Sequence, residues 1–201
     1  MNKISQKDIH VHEIKKVFVG YSLIEEITFS QTDHQGNISD RVSREIFSKG
    51  DAVAIVPFEP STNLIWLVKQ MRPAALLSEC EPYQWEIPAG LISKDETAEE
   101  AARRELEEET CLKNTQLRYI CNFFPSPGNS KDRVFLFVAI VENGAIRDGR
   151  GGVNEESEFI DFRAFNYEEV LELVQKNIVQ NSTTMLGIML LDKYRSELLS
   201  L

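Results

Sequence analysis

Apolar and polar positions alternate through much of the first third of the chain. Residues 12–29, HEIKKVFVGYSLIEEITF, read as two β-rich stretches broken at Gly20-Tyr21-Ser22. The polar run QTDHQGNISD (31–40) predicts a turn, and RVSREIF (41–47) a third stretch. DAVAIVPF (51–58) is apolar at almost every position, the pattern of a strand covered on both faces, and is closed by Pro57, Pro60 and Ser61. NLIWLVKQ (63–70) predicts a second strand and therefore a hairpin. LRYICNFF (117–124) and RVFLFVAIV (133–141) read as strands around the loop PSPGNSKD. ENGAIRDGRGGVNEES (142–157) reads as a loop before the strand EFIDFRAF.

The period changes from two to 3.6 in three places. Residues 97–110 predict a helix with Thr97 as N-cap and Glu100 completing a capping box. Two more helices are predicted, over Tyr167 to Lys176 and Thr183 to Leu199. Strands mixed with three helices predict an α/β fold, a mixed sheet with helices on both faces. Residues 1–48 read as a small N-terminal β annex and 49–201 as the main domain.

Composition narrows the function. With 201 residues, 42% apolar and 27% charged, a core is easily buried, which excludes disordered and collagen-like classes. The longest apolar run, Val134 to Val141, is far short of the ~20 residues a membrane span needs. The start, MNKISQKDIH, lacks the apolar stretch of an export signal. A net charge of −10 repels phosphate backbones and argues against nucleic-acid or anionic-membrane partners. An anionic small molecule would need cations of its own at the site. Cys80, Cys111 and Cys121, odd in number and without CxxC spacing, predict neither a disulfide framework nor a zinc site. They read as reduced, buried or half-buried thiols in a cytoplasm. His10 and His12 have no third ligand nearby in sequence and are assigned no role.

Chemistry concentrates in the first long helix. At 100° per residue, Glu105, Glu108 and Glu109 share an arc of about 100°, with Glu107 on the opposite side. Ala101, one turn earlier in that arc, would leave room for something to approach the carboxylates. Such like charges cost roughly 0.2–0.5 kcal/mol per pair unless a cation sits among them. Hard oxygen ligands at this spacing suit Mg²⁺. Equally, Glu99–Arg103, Glu100–Arg104, Arg103–Glu107 and Arg104–Glu108 are i,i+4 pairs, the signature of a solvated, salt-bridged helix. The helix alone leaves both readings open.

The wider spacing is more specific. Gly90, five residues, Glu96, seven residues, then Arg104-Glu105-Leu106-x-Glu108-Glu109-x-x-Leu112 closely resembles the Nudix box. One position departs: Cys111 stands where that family has its closing Gly, at a helix end where φ > 0 is common and Cys is poorly tolerated. REIFSKGDAVAIVPFEPSTNLIWLVKQMRPAA, WEIPAG, FFPSPGNSKDR and GGVNEESEFIDF extend the resemblance to the ADP-ribose pyrophosphatase branch of Nudix hydrolases. Pro127, sixteen residues beyond Cys111 and followed by Gly128, matches that branch's marker.

The resemblance implies a Nudix α/β/α sandwich and Mg²⁺-dependent hydrolysis of a nucleoside diphosphate sugar, with Mn²⁺ as a substitute. ADP-ribose, giving AMP and ribose 5-phosphate, is the first expectation; GDP-mannose or another such sugar, or a non-catalytic nucleotide sensor, are the alternatives. By resemblance the metal is held by Glu105, Glu108, Glu109 and the carbonyl of Ala89. Arg104 orients the carboxylates and Glu96 braces the loop after Gly90. Arg44, Arg72 and Glu86, with Pro127 and Gly128, are the implied substrate contacts, since an arginine fork matches paired phosphate oxygens. Asp132, with Glu158 as rival, is the implied general base. A homodimer through the N-terminal strands is implied as well.

Overall fold

The computed structural model describes residues 8–153 and 158–198; residues 154–157 of the predicted acidic loop and Leu199 of the predicted last helix lie outside them. The chain forms two compact units, Met1–Gly50 with Phe124–Asp132, and Asp51–Phe123 with Arg133–Leu201.

In the first unit, β1 (Ile9–Val19), β2 (Leu23–Gln31) and β3 (Val42–Ser48) make a three-stranded antiparallel sheet. The break at Gly20-Tyr21-Ser22 is the β1–β2 turn, as the sequence predicts. The PSPG loop belongs to this unit because its backbone continues the sheet. Phe47 N donates to Asn129 O at 2.7 Å, and Phe47 forms a parallel bridge with Ser130. Lys131 Nζ pairs with Glu25 at 2.5 Å. Ile14, Val17, Phe18 and Val19 on β1 remain exposed.

The second unit begins with the predicted hairpin, β4 (Ala52–Glu59) and β5 (Leu64–Met71), followed by α1 (Pro73–Leu77), β6 (Tyr83–Glu86), β7 (Ala89–Leu91) and α2 (Ala98–Thr110). Then come β8 (Gln116–Phe123), β9 (Val134–Ile140), β10 (Asp148–Gly151), β11 (Ile160–Asn166), α3 (Tyr167–Gln175) and α4 (Ser182–Leu198). The sheet has eight strands in the order β10-β11-β5-β4-β9-β8, with β6 on β5 and β7 on β4; β4 and β9 are parallel.

Both faces of this sheet are covered, which is why β4 is apolar from Ala52 to Phe58. Ala54, Val56 and Phe58 point into one core with Ile188 and Leu191 of α4 and Val170 of α3. Val53 and Ile55 point into the other with Ala101, Ala102 and Leu106 of α2. This is the helix–sheet–helix sandwich the resemblance implies.

Four short elements escape the sequence pattern. α1, β6 and β7 have three to five residues each, too few to display a period. β10, DGRG, was predicted as loop; it carries no apolar signal and is a strand only through its pairing with β11. β4 and β5 pair only near their turn, at Phe58–Ile65 and Glu59–Leu64, and then diverge. β7 lines one side of the resulting split and β6 the other. The WEIPAG segment therefore lies in a gap in the sheet. The thiols also depart from expectation: all three are unpaired, but Cys80 and Cys111 are exposed rather than buried.

Candidate active site

α2 opens with the predicted capping box. Glu100 N donates to Thr97 Oγ1 (3.3 Å) and Thr97 N to the Glu100 carboxylate (2.8 Å). The cap fixes the first turn and hence the rotation of every later residue. Ala101 is not beside an open space as expected: it is fully buried in the core, and its small side chain lets the helix approach the sheet. Of the four predicted i,i+4 pairs, Glu99–Arg103 and Arg104–Glu108 form. Glu100 is taken by the cap, and Glu107 pairs with Lys113 at 2.7 Å.

Arg104 organises the carboxylates. Its Nε and Nη2 donate to the two oxygens of Glu96, both at 2.9 Å. Its Nη1 donates to Glu105 Oε1 (2.6 Å) and Glu108 Oε2 (3.1 Å), and Nη2 also to Leu91 O (3.0 Å). All five guanidinium hydrogens are thus engaged. The Arg104 fork holds the Glu96 carboxyl down at about 2. Glu96 also accepts from Ser93 N at 3.1 Å, so it braces the loop between Gly90 and the helix.

Glu109 is 2% exposed. Its Oε2 accepts from Ala89 N at 3.1 Å, and Gln70 Nε2 approaches Oε1 at 3.5 Å. Burial pushes its carboxyl well above the usual range, and the charges of Glu105 and Glu158 add to this; Ala89 N–H and Arg72 oppose it. Glu105 is also raised, by burial first, against the pull of Arg104 and with Glu108 and Glu158 adding.

Two glycines let the pieces close. A Cβ on Gly90 would fall 2.0 Å from Glu105 Oε1, and one on Gly151 would fall 2.2 Å from Glu109 O. Gly152 N donates to Glu108 O at 2.7 Å, which fastens the loop after β10 to the end of α2. Glu158 returns from that loop beside Gly152, next to an open cleft lined by Lys69, Tyr83, Arg150 and Phe159.

Arg72 carries the cationic side of the site. Its Nε (2.9 Å) and Nη2 (2.5 Å) both donate to Glu86 Oε2. The other Glu86 oxygen accepts from Asn181 Nδ2 at 3.0 Å. The structure thus brings Glu86, Ala89, Arg104, Glu105, Glu108 and Glu109 together, with Arg72 and Glu158 near enough for their charges to act on Glu109.

The remaining predicted residues lie in the first unit. Asp132 accepts from Ser48 Oγ (2.5 Å) and Lys49 N (2.6 Å), so both of its oxygens hold the end of β3. Arg44 is exposed on β3 and donates to Ser43 O at 2.8 Å. Pro127 lines an apolar hollow with Ile14, Ile27, Ile46 and Phe124, and Gly128 faces open space.

Gln70, Gly151, Gly152 and Asn181 were missed by sequence reasoning. Gln70 was within reach, because alternation on β5 sets it on the same side as Arg72. Asn181 shows only as an N-cap before Ser-Thr-Thr; its partner Glu86 is 95 residues away.

The donor set suits a hard divalent cation: carboxylates, a nearby backbone, and a buried Glu109 whose charge lacks a full counter-charge. Among the described residues, no three His, Cys, Asp or Glu side chains stand in a ready metal-ligating group. Arg104 Nη1 instead lies between Glu105 and Glu108. No described helix is long and apolar enough to cross a membrane.

Known proteins share this arrangement of sequence. The ADP-ribose pyrophosphatase of Escherichia coli is 26% identical over 96% of this chain and 92% of its own length. That of Haemophilus influenzae is 28% identical over 92% of this chain and 86% of its own. The GDP-mannose pyrophosphatase of Cronobacter sakazakii is 26% identical over 83% of this chain and 85% of its own. A crystal structure of an ADP compounds hydrolase superposes with a TM-score of 0.74 at 16% identity, covering 98% of both chains, and shares the fold. The NUDIX domain profile matches residues 48–185, the span that carries Gly90, Glu96 and the α2 carboxylates, and this chain belongs to the NUDIX domain family.

Proposed function

We propose that the protein hydrolyses the diphosphate of a nucleoside diphosphate sugar with Mg²⁺ as cofactor, converting ADP-ribose to AMP and ribose 5-phosphate. One observation carries the reading most: the buried Glu109 bonds Ala89 N–H and Glu105 lies against the adjacent Gly90, while Arg72 stands close enough to act on Glu109. Relatives named for ADP-ribose align along nearly the whole chain, which favours that sugar. GDP-mannose is the second reading, supported by the relative named for it over 83% of the chain.

Glu105, Glu108 and Glu109, with the Ala89 carbonyl, would hold Mg²⁺ or Mn²⁺, which when bound neutralises the diphosphate and makes water a better nucleophile. Arg104 keeps the carboxylates oriented. Arg72 presents the Nη1 side of its guanidinium, the side that Glu86 leaves uncovered, to a phosphate oxygen. Arg44, Pro127 and Gly128 belong to the substrate-binding part of the proposal, and Glu86 acts by holding Arg72.

The general base in this proposal is Glu158, which lines the open cleft, rather than Asp132. The Glu158 charge is felt by both Glu105 and Glu109, whereas the Asp132 oxygens are occupied by Ser48 and Lys49. Glu158 takes the proton of the attacking water as the oxygen reaches phosphorus. A cytoplasmic homodimer joined through the exposed apolar residues of β1 completes the proposal.

Incubating the purified protein with Mg²⁺ and a panel of ADP-, GDP- and UDP-sugars tests this. ADP-ribose should be cleaved fastest, to AMP and ribose 5-phosphate. Turnover of none of the panel overturns the enzymatic reading, and preference for GDP-mannose selects the second one.

A further inference from the structure

Arg72 does not reach its position alone. It lies at the end of β5, where Pro73 begins α1, and 39% of its side chain is exposed. A long, half-exposed arginine has many rotamers open to it, so a fixed guanidinium needs a reason. Glu86 supplies one: both Nε and Nη2 converge on its Oε2. Yet Glu86 is itself 4% exposed, and a buried carboxylate bound on one oxygen could turn. Its second oxygen is held by Asn181 Nδ2 at 3.0 Å, from the residue just before α4.

Asn181 is in turn fixed. Its Oδ1 accepts from Thr184 N (2.9 Å) and Thr184 Oγ1 (3.2 Å). Thr184 Oγ1 accepts from Ile87 N at 3.1 Å, which ties the start of α4 back to the residue after Glu86. Met185 N donates to Asn181 O at 3.0 Å, as the first bond of the helix. The amide therefore has two separate tasks. Its oxygen caps α4, and its nitrogen donates to Glu86.

We infer that Asn181 is a positioning residue for diphosphate binding, acting through Glu86 to fix the guanidinium plane of Arg72. The inference rests on the reading of Arg72 as a phosphate contact. Asn181 touches no substrate; it sets which face of the arginine is open and at what angle. A misaligned fork loses one of two parallel hydrogen bonds to phosphate, so the effect belongs in binding more than in the chemical step.

Asn181→Asp separates the two tasks. Aspartate keeps the capping oxygen, and is as good an N-cap as asparagine. It replaces the donor with an acceptor that faces the Glu86 carboxylate. With the Mg²⁺-loaded protein and ADP-ribose, KM should rise about tenfold with kcat within about threefold, and the unfolding temperature should fall because two carboxylates now face each other. Ile188→Val, in the buried face of the same helix, destabilises α4 packing without touching the relay and should leave KM unchanged. Arg72→Ala should raise KM more than Asn181→Asp. Added to Arg72→Ala, Asn181→Asp should change KM less than about twofold, since nothing remains to be positioned. The inference is overturned if Asn181→Asp leaves KM at the wild-type value. It is also overturned if Asn181→Asp raises KM by the same factor with and without Arg72. An unchanged KM in Arg72→Ala removes the underlying phosphate-contact reading, and the inference with it.

Discussion

The Glu105 carboxylate occupies the space where a side chain on Gly90 would begin, with Oε1 2.0 Å from the position of such a Cβ. The two residues are the first glycine and a central glutamate of one sequence pattern. Their separation along the chain becomes contact because β7 fills the split beside β4 and α2 crosses over it. Gly90 is required for close approach, not for its backbone angles.

That contact predicts how Gly90→Ala fails. The obstructing atoms are the end of a flexible side chain, so the fold accommodates the methyl by displacing the carboxylate. The unfolding temperature should change by only a few degrees, while kcat falls at least about tenfold and the Mg²⁺ requirement rises. Gly151→Ala should behave oppositely. Its Cβ would meet the backbone carbonyl of Glu109 at 2.2 Å, which cannot swing away. Thermal unfolding and Mg²⁺ titration of both variants check the contrast.

Glu109→Gln tests the charge at the site. An unfolded glutamate ionises near pH 4.3. Folding raises the Glu109 carboxyl well above its ordinary value, chiefly by burial, so the folded state binds the proton more tightly. Stability therefore falls as pH rises above about 4.3 and levels once the folded value is passed. Gln removes that penalty. Without metal, Glu109→Gln should unfold at a higher temperature than wild type at pH 8, with the gap closing toward pH 4. Mg²⁺ should stabilise wild type more at pH 8 than at pH 5, and Glu109→Gln less at either. Turnover should fall at least about a hundredfold, because a charge that stabilises the transition state is lost. A variant with wild-type turnover at saturating Mg²⁺ would refute the metal assignment.

What sequence could reveal follows the range of the forces involved. The capping box at Thr97, the doubly covered β4 and the arc of Glu105, Glu108 and Glu109 depend on near neighbours, and the residues announce them. β10 has no local signal; Arg150 and Gly151 become strand only by pairing with Asp161 and Ile160. The same holds for Glu86, whose partners Arg72 and Asn181 come from elements far apart in the chain. Motif spacing conveyed the carboxylates, but not that Arg104 Nη1 would lie between two of them. Asp132 read well as a base from its place after PSPG. Its carboxylate instead bonds Ser48 and Lys49, contacts made with a strand more than eighty residues earlier.

Cys111 is the residue that departs from the motif, and it sits at φ 59°, ψ 10°, the left-handed conformation its glycine counterpart would adopt freely. Its N–H still closes the helix on Glu107 O at 2.8 Å, so the cap is intact and only the backbone is strained. Left-handed geometry costs a non-glycine residue about 1–2 kcal/mol, partly offset by the greater unfolded-state freedom of glycine, about 0.4–1 kcal/mol. Cys111→Gly should raise stability by about 0.5–1 kcal/mol, or ~1–4 °C for a chain of this size, with turnover unchanged. Calorimetry alongside an activity assay measures both.

The choice of base gives the sharpest comparison. The charge of Glu158 adds to the raised carboxyls of Glu105 and Glu109, and the residue lines the open cleft with Lys69, Tyr83 and Arg150. Gly152 N is fastened to Glu108 O at 2.7 Å, and Glu158 N donates to Val153 O at 3.3 Å, which keeps the Glu158 backbone beside that anchor. Loss of a general base typically costs 10²–10⁴ in rate, so Glu158→Gln should lower kcat by about that factor. Asp132→Ala should lose the Ser48 and Lys49 hydrogen bonds, lowering the unfolding temperature while kcat drops less than about tenfold. Should Asp132→Ala be the slower variant, the assignment reverses. If neither loses more than about tenfold, below the usual range for a general base, then neither Glu158 nor Asp132 takes the proton in the rate-limiting step.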